Sequence, residues 1–111
     1  MKTKTPKHYR QGDVLIERID SMPRNCTKID RENGRVILAH GEVTGHAHAL
    51  TAPGCELFAA ESEPGVTFLE IRDAMAALKH DEHGTIDLPA GTYRVTRQRE
   101  YSPEAIRNVA D

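Results

Sequence analysis

Five of the six histidines fall between positions 40 and 83, as His40, His46, His48, His80 and His83. Neutral imidazole is a ligand for zinc, iron, nickel and copper, so their spacing is where chemistry is first sought. In "GEVTGHAHAL" (41–50), His46 and His48 are separated by one alanine. On a strand, residues i and i+2 share a face ~7 Å apart, so both rings can reach one ion. In "HDEHG", His80 and His83 stand three apart, a spacing that a turn brings to one side. Asp81 and Glu82 between them can ligate or orient a ring, and His40 and Glu42 flank the first pair. The expected site is a divalent metal (Zn, Fe, Ni or Mn) held by His46, His48, His80 and His83, with His40, Glu42 and Asp81 as further donors. A non-metal version is also open, in which the histidines tie turns together by hydrogen bonds or form a pH-sensitive cluster. His8 stands apart and is expected on the surface.

No other chemistry competes. Cys26 and Cys55 form neither a CxxC pair nor a disulfide framework, and two free thiols in a reducing compartment are expected. Ser62 and Ser102 have no histidine near in sequence, and no glycine loop of phosphate-cradling type occurs. "YRVTRQREY" (93–101) sets Arg94, Arg97 and Arg99 near Tyr93 and Tyr101. Strand alternation splits these arginines between faces, so a salt-bridged surface is expected rather than a base-stacking platform. Fifteen basic against 17 acidic residues leave a net charge of -2, and no whole-molecule attraction to nucleic acid or anionic membrane. The basic start "MKTKTPKHYRQGD" lacks an apolar core, so no signal peptide is expected. No apolar run approaches the ~20 residues that span a bilayer. The expected location is the cytoplasm of a bacterium or of a phage-infected cell.

The elements that must position the histidines are short. One domain is expected over 111 residues, with 1–10 ragged, a β roll over 12–100 and a short helix over 102–110 begun by Ser102 and Pro103. "GDVLIERID" (12–20) reads as a strand with Val14 and Ile16 on one face. A polar connection (21–34) ends in the turn dipeptide Asn33-Gly34. Further strands are expected at 35–40, 46–50, 55–60, 66–73, 85–88 and 92–100, with Tyr93 and Val95 facing inward. Glycine at 41 and 45 marks a turn that can aim the histidines, "TAPG", "ESEPG" and "PAG" mark others, and 74–80 fits helix or strand. Many short strands with frequent turn signals imply a small antiparallel barrel or roll.

Two stretches carry a resemblance to metal-binding cupins. Gly41 followed by His46-Ala-His48 is similar to their first motif, without its glutamate until Glu56. "GTIDLPAGTYR" (84–94) is similar to their second, with Arg94 where the histidine belongs. This resemblance spans residues 41–94 and implies a cupin-like roll with a bound metal. "GDVLIERI", "GEVTGHAHAL" and "HDEHGTIDLPAGTYRVTRQREYSPEAIR" together resemble a family of short uncharacterised bacterial and phage proteins, over nearly the whole chain. The succession of "GDVLIERI" and "GRVILAHGEVTG" also resembles a co-chaperonin barrel, which gives the histidines no role.

Two functions from different classes follow. The first is a metal-binding β roll whose ion is structural if the shell is closed, or acts on a small ligand if a position is open. The second is a non-enzymatic phage or mobile-element accessory or inhibitor protein, acting through protein contacts. In either, edge strands can pair the chain into a homodimer.

Overall fold

The computed structural model describes residues 8–40, 46–81 and 83–97. All regular structure in them is β: β1 (His8–Gln11), β2 (Val14–Ile19), β3 (Cys26–Ile29), β4 (Val36–His40), β5 (Ala47–Leu50), β6 (Cys55–Ala60), β7 (Thr67–Leu78) and β8 (Ile86–Arg97). Six strands form one antiparallel sheet in the order β1-β2-β8-β7-β6-β3, and β4 pairs with β5 in a second. The sheet ends at β1 and β3, so the expected closed barrel is not formed among the described residues. The expected C-terminal helix lies outside them. No helix long and apolar enough to cross a membrane occurs among them.

The turns follow local chemistry. Gly12 and Asp13 join β1 to β2 in a two-residue turn, with Gln11 opposite Val14. Gly12 has φ +60°, the glycine-first pattern that suits the twist of a tight hairpin. His8–Arg10, expected to be ragged, therefore lie in a strand. Asn33 and Gly34 form the expected turn, with φ of 53° and 79°, between the mutually bonded Glu32 and Arg35.

Two departures set the shape. The polar connection expected over 21–34 contains β3, whose Cys26–Ile29 pairs with Leu57–Ala60 of β6. The turn expected at Pro89-Ala90-Gly91 is the interior of β8, and the ambiguous 74–80 stretch is the second half of β7. Both long strands change character at matching points. The register between them shifts between Ile71 and Met75, opposite Gly91, whose φ is +155°. A bulge bends a strand and increases its twist. The first half of β7 thus pairs with β6, while Lys79, just past its end, bridges to Ala49 of β5. This bend carries the 79–85 loop over to the two-stranded sheet, where His46 and His48 lie.

The core is filled by alternate residues of these strands. Val14 and Ile16, inward as expected, pack with Leu50, Leu69, Leu78, Leu88, Val95 and Tyr93. Tyr93 is fully buried, and its hydroxyl donates to Pro89 O at 2.6 Å and accepts from Arg18 Nη1 at 3.0 Å, so the one polar atom of this large core ring is satisfied. Arg31 clips the second sheet to the first, donating to the carbonyls of Gly34, Ala52 and Cys55.

Candidate functional site

Four imidazoles meet where β5, the β1–β2 turn and the 79–85 loop converge. Ring centroids of His48 and His80 are 4.3 Å apart, His80 and His83 4.7 Å, His48 and His83 5.8 Å, and His46 and His80 6.0 Å. All four histidines singled out from their spacing thus come together. His46 Nε2 lies 3.2 Å from Asp81 Oδ2. His40 turns instead to Glu32, at 3.3 Å on the surface, and His8 to Glu17. Glu42, with Gly41, Thr44 and Gly45, lies outside the described residues. Only His48 and His83 are near parallel, at 17°, while the other ring pairs are tilted or edge-on, and no group of three His, Cys, Asp or Glu among the described residues is arranged to hold a metal ion.

The organiser of the cluster is Gln11, which sequence reasoning did not single out. Its side chain is 2% exposed. Nε2 donates at 2.9 Å to Leu78 O and at 2.9 Å to Gly84 O, the two sides of the loop carrying His80 and His83. Two carbonyl acceptors oblige the amide NH2 to face them, so Oε1 faces His48 Nδ1, at 2.8 Å. The Nδ1 atom must then carry the proton. Burial first, then the neighbouring His80, pulls the His48 pKa from 6.5 down to about 4, against the opposing pull of Asp13. At neutral pH His48 is therefore a neutral ring with its lone pair on Nε2.

That lone pair faces a carboxylate. Asp13 Oδ1 is 3.8 Å from His48 Nε2, while Oδ2 accepts from Arg97 Nε at 2.8 Å. Burial pushes the Asp13 carboxyl up, but the hydrogen bond and charge of Arg97 outweigh it and hold the pKa below the usual value. Two acceptors thus oppose each other across a gap with no proton between them. His83 completes the wall: a Cβ added to Gly12 would stand 2.7 Å from His83 Nε2, so a side chain there would displace the ring. Asp13 and Gln11 are carried by "QGD", whose signal was the glycine-first turn.

The other sequence landmarks serve structure. Glu56, the first glutamate after the HxH, binds Lys28 and Arg72. Arg94, at the position of the second cupin motif's histidine, binds Glu17 and Glu63. Neither joins the imidazoles, so the cupin correspondence does not describe this cluster. Arg94 and Arg97 are ion-paired as expected of a salt-bridged surface, while Arg99 and Tyr101 lie outside the described residues. Cys55 is buried, and burial, then Asp73, pushes its thiol pKa up, away from reactivity.

These features define an antiparallel all-β protein with a histidine cluster at the junction of its two sheets. The chain belongs to the family described as a domain of unknown function, DUF8820, whose model matches residues 10–98 and so includes every residue of the cluster. No curated protein and no solved structure matches the chain.

Proposed function

We propose that the protein binds a divalent metal ion through His46, His48, His80 and His83, with Asp13 as a carboxylate donor beside them. The observation that carries this reading is the opposition of the neutral His48 Nε2 to Asp13 Oδ1 at 3.8 Å. A cation between them turns two facing acceptors into two ligands. The donor set is imidazole and carboxylate, which suits zinc, iron, nickel or manganese. Gln11 supplies what metal-bound histidines generally have, a partner on the second ring nitrogen that sets the tautomer. Binding requires His80 and His83 to turn toward the ion, and both sit on a loop whose two ends are tied by Gln11. Five donors exceed the four of a closed zinc shell, which favours a site that releases one position to a small ligand or water. Asp81 is placed to orient His46.

The test is metal content. Untagged protein purified without chelator and then offered zinc, iron, nickel or manganese is expected to retain about one ion per chain. His80→Ala and His83→Ala, on the loop, should lower that content sharply with the β circular dichroism unchanged, and His8→Ala should not. Content that stays far below stoichiometry, with no rise in melting temperature for any of the ions, would overturn the proposal. The rival, a non-enzymatic accessory protein acting by contact, draws on the two sheet edges β1 and β3 that no described strand covers.

A further inference from the structure

Ala47 and Ala49 project from the opposite face of β5 to His46 and His48, by the alternation of a strand. There they help line a cleft of about 210 Å³, together with Arg35, Thr51, Lys79 and Asp81. Arg35 comes from the start of the second sheet and Lys79 from the bridge that ties β7 to β5, so two elements bring two cations to one concavity.

Most cations among the described residues have partners, and those of the cleft do not. Lys28, Arg72, Arg94 and Arg97 each lie against a carboxylate, and Arg18 and Arg31 donate to oxygen atoms of the chain. Among the described residues, neither the Arg35 guanidinium nor the Lys79 ammonium has such a partner. The one acid of the lining, Asp81, directs Oδ2 to His46 instead. Two like charges along a small cleft repel each other until an anion lies between them. A guanidinium fork, an ammonium point charge and a hydroxyl are complementary to the oxygens of a carboxylate or phosphate group. The volume falls below the roughly 300–1,000 Å³ of pockets for drug-sized molecules, which limits the ligand to a few atoms around its charge.

We propose that this cleft is a binding site for a small oxyanion, a carboxylate or a phosphate group, held between Arg35 and Lys79 with the Thr51 hydroxyl beside it. The cleft does not need the metal reading, because neither Arg35 nor Lys79 takes part in it, although Asp81 of the lining also meets His46. The experiment is an amide chemical-shift titration of the chelator-treated full chain at constant ionic strength, with inorganic phosphate in one arm and malonate in the other. Saturable shifts are expected at Ala47, Ala49, Thr51 and Lys79. Saturation in one arm alone assigns that chemistry, and saturation in both assigns the shared oxyanion. Arg35→Gln and Lys79→Gln should each weaken binding about tenfold, the effect expected of one charge-assisted contact. Ala49→Leu, which fills the cleft and keeps both cations, should abolish it. His80→Ala should bind the anion as the parent does, which separates this site from the metal centre. Shifts that rise linearly without saturation in both arms, or saturable shifts that survive in Arg35→Gln and Lys79→Gln, would overturn the proposal.

Discussion

At the scale of single residues the site depends on Gln11 and His48. Replacing Gln11 by Ala strands the Nδ1 donor of His48 and the carbonyls of Leu78 and Gly84. Buried groups left without partners cost about 1–3 kcal/mol each, and relaxation of the loop recovers part of that. Gln11→Ala is expected to lower stability by about 3 kcal/mol in urea unfolding and to weaken metal binding by about 10–100-fold, the range for outer partners of metal ligands. Native stability in Gln11→Ala would remove Gln11 from its organising role. His48 adds a pH dependence to the metal-free protein. Its folded pKa of about 4 lies below its ordinary 6.5, so the unfolded chain takes up the proton first. Stability is complete above about 6.5 and is lost as pH falls through 4, by about 3 kcal/mol in total. Urea midpoints measured between pH 7 and 4 should fall across that window, and more shallowly in His48→Gln.

At the scale of elements, glycine substitutions separate backbone strain from displacement of the site. Gly34 has φ +79° with open space around it, so Gly34→Ala costs only the strain of a left-handed backbone, about 1 kcal/mol. Gly12 has φ +60° and faces His83 Nε2, so Gly12→Ala adds movement of that ring. Both variants should melt a few degrees lower, while only Gly12→Ala should lose metal affinity. Equal metal binding by the two would show that the ring accommodates the methyl group. The long hairpin of β7 and β8 holds the rest in place. Leu88 is fully buried in its second half, and Leu88→Ala should cost about 2–5 kcal/mol by the cavity it leaves, read as a shift in the urea midpoint. The elements were largely legible in sequence where hydrophobic alternation is regular, as in β2 and β6. They were not legible where a long strand bends: Pro89 and Gly91 have turn chemistry, yet Pro89 pairs with Met75 and Gly91 with Ile71 inside the sheet. Pairing to a distant strand overrode the local preference.

At the scale of the whole molecule, the two-stranded sheet is joined to the larger one through the Ala49–Lys79 bridge, the Arg31 clip and the Gln11–His48 bond. A ligand that crosses this junction stabilises it by mass action, by about 2.7 kcal/mol at a hundredfold excess over Kd. Metal loading should therefore slow amide hydrogen exchange at Ala47–Leu50 and around Leu78 and Gly84 far more than in the edge strand Cys26–Ile29. Uniform slowing across the chain would place the ion elsewhere.

By itself the sequence determined the all-β class and the Asn33-Gly34 turn and singled out the four histidines, because alternation, turn dipeptides and HxH or HxxH spacing are local properties; that the two histidine pairs meet was decided by the packing. Only the tertiary structure decided the rest. Gln11 and Asp13 lie 37 and 35 positions from His48 and carry no motif, so nothing nearby in the chain marks them. They enter the site because the hairpin turn between β1 and β2 is packed beneath the 79–85 loop. Likewise His40, nearer to His46 in sequence than His80 is, turns to Glu32, because its place on β4 directs its ring to the surface. Which histidine lone pair faces which carboxylate is set by hydrogen bonds between distant segments, and those exist only once the sheets have packed.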